Sequence, residues 1–138
     1  MKKTTITLLL LALATPLSAE TDYDRAEMIR TRDITGAEIY TTNSDGSMAW
    51  DIEQTFDKVD GDWDNIGEIE DVVLDRDGQM IGVIAEVGGF LDIGDKHVFI
   101  EIDGVKLVPV DDRSFSLVTG LSKDQLMERK DLDEGFWD

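Results

Sequence analysis

"IGEIEDVVLDRDGQMIGVIAEVGGFLDIGDKHVFIEID", Ile66 to Asp103, decides the fold. Its first ten residues, "IGEIEDVVLD", are rich in β-branched side chains and end at a turn signal, and they read as a strand. "RDG" (Arg76 to Gly78) is a tight reversal, since Asp-Gly supplies positive φ at low cost. "QMIGVIAEV" (Gln79 to Val87) is the returning strand, and Gly82 within it permits a bend or a close approach. "GGFLDIGD" (Gly88 to Asp95) is a glycine-rich loop that carries apolar side chains. "KHVFIEI" (Lys96 to Ile102) alternates again and reads as a third strand.

Outward from this block the pattern continues. Asp103-Gly104 turns into "VKLVPV" (Val105 to Val110), and "SFSLV" (Ser114 to Val118) follows another turn. Ser122 and Gln125 form an S-x-x-Q capping box that opens a short helix, with Leu121, Leu126 and Met127 toward the core. On the N-terminal side "AEIYT" (Ala37 to Thr41) is a strand and "NSDGS" (Asn43 to Ser47) a loop. "MAWDIEQTFDKV" (Met48 to Val59) fits neither period, so it predicts only partial burial of Trp50, Ile52 and Phe56. Short strands joined by tight turns predict an all-β fold, a small antiparallel β-barrel of about six strands with a short C-terminal helix. The strands are too short and too few for an outer-membrane barrel.

Composition bounds the function. The chain has 138 residues, no cysteine and a formal charge of −18. Lys2, Lys3, the apolar run Ile6 to Ala14, Pro16 and a small residue at Ala19 make residues 1–19 read as a secretory signal. The apolar run is about half the roughly 20 residues that span a bilayer. Cleavage would remove Lys2 and Lys3 and leave 11 bases against 31 acids. A surface so acidic repels nucleic acid and anionic lipid, both polyanions. Thiolate chemistry is excluded, and stability must come from the core rather than from disulfides. The sequence divides into the signal, a charged lead-in segment at 20–33, the barrel at 34–130 with an acidic insertion at about 45–65, and an acidic aromatic tail at 131–138. The expected location is the periplasm, with no membrane-spanning segment after cleavage.

The block from Ile66 to Leu126 resembles the PRC-barrel family. The resemblance rests on the glycine-led strand with its acidic pair, the D-x-D-G hairpin, the V-G-G-F-L-x-I-G loop and the K-x-V strand. "ITGAEIY" (Ile34 to Tyr40) resembles the family's first strand, and "LSKDQL" (Leu121 to Leu126) its C-terminal helix start. Asp92 departs from the small residue usual there, and the insertion is longer than usual. The resemblance implies a six-stranded barrel used for assembly, docking and support, as in the H subunit of photosynthetic reaction centres, with no common catalytic set. It implies a non-enzymatic interaction module and does not name its partner; taken with the export signal, the partner expected is another protein of the cell envelope.

Three constellations compete as sites. Asp60, Asp62 and Asp64 take positions 1, 3 and 5 of a calcium-loop template, with Glu68 at 9 and Asp71 at 12. Asn65 replaces the glycine of position 6, and Asp71 lies in a predicted strand, so an EF-hand is rejected. A looser calcium or cation site in the Asp57 to Asp71 region remains as the alternative reading. His97 is the only histidine, and no G-x-S-x-G elbow accompanies it, so no catalytic residue is assigned. The loop residues Gly88, Gly89, Phe90, Leu91 and Ile93 either plug the barrel or, if exposed, form a docking surface. That loop lacks the lysine of a phosphate-binding loop, and Asp92 and Asp95 would repel phosphate.

Overall fold

The computed structural model describes residues 24–88, 96–132 and 135. Six strands form one sheet: β1 (Glu38–Thr41), β2 (Asp64–Leu74), β3 (Met80–Val87), β4 (Lys96–Glu101), β5 (Val105–Pro109) and β6 (Phe115–Thr119). A helix, α1 (Lys123–Met127), follows. Two short 3₁₀ turns, Arg25–Glu27 and Thr31–Asp33, precede β1. Residues 26–32 are exposed, Asp33 is half-buried and Ile34 joins the core.

The sheet order is β4-β3-β2-β1-β6-β5. Two features correct the expectation of an antiparallel closed barrel. β1 and β6 pair in parallel, Ile39 opposite Leu117 and Thr41 opposite Thr119. Tight turns force antiparallel pairing only between consecutive strands. The first and last strands have the rest of the chain as their crossover and are free of that constraint. The sheet also stays open. β4 and β5 are consecutive in sequence yet form its two edges, because a 3₁₀ turn at Ile102–Gly104 carries the chain between them.

Side-chain alternation builds the core. Ile69, Val83, Ala85, Val87, Val98 and Ile100 project from β2, β3 and β4 to one face, and Ile39, Leu117 and Leu126 meet them there. The capping box predicted at Ser122 is formed in both directions. Gln125 N–H donates to Ser122 Oγ at 3.2 Å, and Ser122 N–H donates to Gln125 Oε1 at 2.9 Å. The cap satisfies N–H groups that a helix this short otherwise leaves to water, and it aims Leu126 at the core.

Two glycines set strand spacing. At Gly67, with φ +156°, a Cβ would overlap the Glu86 carbonyl oxygen and lie 3.0 Å from its carbon. At Gly82 a Cβ would meet the Phe99 ring at 2.6 Å and overlap the Ile100 carbonyl oxygen. The predicted close approach at Gly82 is therefore an aromatic ring laid over the strand.

The insertion covers the second face of the sheet at its β5–β6 end. Lys106 lies opposite Val118 in the β5–β6 ladder and shares a face with it, and Val108 is two residues on. Both valines are fully buried yet stand outside the core cluster. The Lys106 ammonium donates to the Ile52 carbonyl, which places the insertion over that face. Trp50 packs against Gly120 and donates from Nε1 to the Asp103 carbonyl at 2.8 Å. Phe56 meets Trp63 edge to face, centroids 4.9 Å apart. Trp50 and Phe56 are half-buried as expected; Ile52 is exposed, engaged through its backbone instead.

Candidate interaction surface

The outward face of β1 to β4 carries a row of charge that only the register reveals. Glu38 stands opposite Glu68, Glu68 opposite Glu86, and Glu86 opposite His97. Directly opposed side chains share a face and approach closely, so this is a carboxylate ladder across three strands that ends on an imidazole. Each member has a different environment. Glu38 accepts from Tyr40 Oη at 2.5 Å and from Asn65 Nδ2 at 2.9 Å. The bond to Glu38, with partial burial, raises the Tyr40 hydroxyl above its usual pKa. His97 Nε2 lies 3.4 Å from Glu70 Oε2 and 3.9 Å from Glu86 Oε2. Glu70 reaches it because the β2–β3 register slips between Ile69 and Asp71, a bulge that re-aims the extra side chain.

His97 is thus a cross-strand partner of carboxylates. Two acceptors flanking an imidazole can orient it, and neither is a hydroxyl or thiol for it to activate. Asp60 turns its carboxylate back to the Asp62 N–H at 3.1 Å, while Asp64 accepts from the Ser44 hydroxyl. Those bonds close a turn within the insertion and tie the insertion's end back to Ser44 at its start. Among the described residues no group of three or more His, Asp or Glu side chains is gathered as metal ligands would be. Of the glycine-rich loop, Gly88 is half-buried with φ +135°. Gly89, Phe90, Leu91 and Ile93 lie outside the described residues.

Two further features escaped sequence reasoning. Asn43, only 3% exposed, donates from Nδ2 to the Gly120 carbonyl at 2.8 Å and to the Met48 carbonyl at 3.2 Å. Its Oδ1 accepts from Met48 N–H at 2.8 Å. One buried amide therefore fastens the start of the insertion to the end of β6. Its signal was faint: an Asn at the head of a loop reads as turn chemistry. The second is the segment after α1. Leu132 N–H donates to the His97 carbonyl at 2.8 Å, and His97 N–H to Asp131 Oδ1 at 3.2 Å. Arg129 Nη1 reaches the Phe99 carbonyl at 2.8 Å and Glu101 Oε2 at 2.7 Å. Lys96 adds a bond from its ammonium to the Met127 carbonyl.

Elsewhere a cleft of about 540 Å³ runs between the lead-in segment and the β5–β6 turn, lined by Met28, Arg30, Asp33, Asp112, Arg113 and Phe115. Arg30 and Asp33 form a bidentate pair across its rim, which holds the Asp33 carboxyl down to about 2.

Comparison with known proteins agrees with the block that decided the fold. Residues 56–116 match the model of the PRC-barrel domain, a non-catalytic domain family. No curated protein matches the chain.

Proposed function

We propose that this chain, whose residues 56–116 form a PRC-barrel segment, is a non-enzymatic docking and structural module of the bacterial cell envelope. The observation that carries the reading is the family match itself, which covers β2 to β5 and hence most of the sheet. The surroundings support it. The charged side chains that flank His97 are the Glu70 and Glu86 carboxylates, with no hydroxyl or thiol paired to the ring among the described contacts. The outward face of β1 to β4 presents carboxylates whose mutual repulsion a cationic partner would relieve. Residues 1–19 serve as the export signal, and the periplasm is the site of action. The partner is a protein with a basic, extended or loop-borne surface, since a chain of charge −18 repels acidic ones.

The test is position-resolved photo-crosslinking in cells that export the full chain. A photoreactive residue replaces Glu68 on the ladder, Phe90 in the glycine-rich loop, or Asp112 on the remote turn. One discrete adduct from position 68 or 90, absent from position 112 and recovered in the osmotic-shock fraction, is expected. Equal labelling at all three positions, or retention of the chain in the cytoplasm, would overturn the proposal.

A further inference from the structure

The two edges of the sheet are protected by different means. β5 is five residues long and ends on Pro109, which has no N–H to offer a neighbour. β4, "KHVFIE", has no such device. It contains valine, isoleucine and phenylalanine, no proline, and one charge of each sign at its ends. An open edge of that composition is a template for another strand. What covers it is the segment 129–132. Bonds from Leu132, Asp131 and Arg129 occupy outward-facing groups of His97 and Phe99. Only the Leu132 bond joins backbone to backbone. The segment is therefore a strap laid along the edge rather than a seventh strand.

We infer that residues 129–132 guard an interaction edge, and that β4, once released, pairs antiparallel with β4 of a second copy. The register follows from the backbone. His97 and Phe99 direct their N–H and C=O groups outward, and so does Glu101 by alternation. A two-fold pairing must match such residues with one another. The one register that pairs all three sets Phe99 opposite the second copy's Phe99, and His97 opposite its Glu101. The second arrangement sets an imidazole against a carboxylate, and two-fold symmetry makes it twice. The high like charge of the two copies opposes the pairing, so it strengthens with salt.

The variant Arg129→Ala/Asp131→Ala/Leu132→Pro removes all three strap contacts from the full mature chain. Light scattering at raised salt is expected to give twice the monomer mass for the variant and the monomer mass for the unaltered chain. The chain has no cysteine, so Phe99→Cys in the strap-free variant adds a unique thiol at the two-fold axis. Mild oxidation is expected to convert it to a covalent dimer. Adding Glu101→Arg to the strap-free variant should lower the dimer fraction several-fold. A strap-free variant with native circular dichroism that stays monomeric overturns the inference. So does a dimer that the introduced thiol fails to cross-link. Should the triple variant lose its β signal, Leu132→Pro alone, which deletes a single donor, decides on the same readings.

Discussion

Replacing Gly67 with alanine tests how the glycine-led strand is seated. At φ +156° an L side chain is strained whatever space surrounds it, at about 1–3 kcal/mol. The added Cβ also overlaps the carbonyl oxygen of Glu86 on β3. That neighbour is backbone within the sheet, so β2 and β3 must separate locally. Overpacking of this kind adds about 1–3 kcal/mol. Reduced freedom of the unfolded chain returns about 0.4–1 kcal/mol. The net loss is about 3 kcal/mol, or roughly a 12 °C fall in Tm for a domain of this size. Gly61→Ala is the matched control, because nothing lies within 4 Å of its Cβ and its φ is not positive. Its expected effect is neutral to slightly stabilising. Urea unfolding followed by far-UV circular dichroism gives both values. If Gly67→Ala falls within about 0.5 kcal/mol of Gly61→Ala, the usual span for a surface change, the reasoning fails.

Other outcomes follow from the same geometry. Asn43→Ala removes the amide that serves Gly120, Met48 N–H and Met48 O; unsatisfied buried groups should cost about 1–3 kcal/mol, read as a lower urea midpoint. Glu68→Gln takes one charge from between Glu38 and Glu86, so at low salt it should stabilise by about 0.2–1 kcal/mol; the gain should vanish in molar salt, and a salt-independent change would refute the repulsion. The Asp33 carboxyl is lowered by the Arg30 side-chain hydrogen bonds first, then by the Arg30 backbone N–H. A depressed carboxylate contributes fully above its unfolded value and loses its contribution as pH falls through the folded one. The 3₁₀ turn at Thr31–Asp33 should therefore hold at pH 5 and loosen between pH 4 and 2, with an NMR titration midpoint for Asp33 near 2. Arg30→Gln should move that midpoint up toward the ordinary aspartate range but leave it below, because the backbone N–H of residue 30 still donates to the carboxylate.

Most of the strands were legible in the sequence because alternation and turn chemistry are local. The hairpin from Ile66 to Val87, the strand at Lys96 and the capping box at Ser122 all fall where the pattern put them. What was not legible is which strand lies beside which. Alternation specifies the face a side chain takes but not its neighbour, so nothing local announced the parallel union of β1 with β6 or the open edges. The ladder was hidden for the same reason. In a chain with 31 acidic residues, Glu38, Glu68 and Glu86 do not stand out until the register aligns them. The insertion followed neither period because it is a cover, held by side-chain bonds from Lys106, Trp50 and Asn43 rather than by a ladder. The strap left no trace because its backbone bond carries no side-chain signature, and "DLDEGFWD" reads as acidic aromatic tail.

The parallel union of the first and last strands has a kinetic consequence. β2, β3 and β4 can assemble from neighbouring hairpins soon after they are made, but β1 gains its second neighbour only when β6 is present. Asn43 and Gly120, which seal that seam, are 77 positions apart. Closure over such a separation is slow, because the loop must be ordered before the contacts reward it. A growing chain thus holds its three-stranded half ready while the seam waits on the final third of the sequence. The finished fold becomes available only after the sixth strand arrives, and a chain interrupted earlier carries β1 with one side bare.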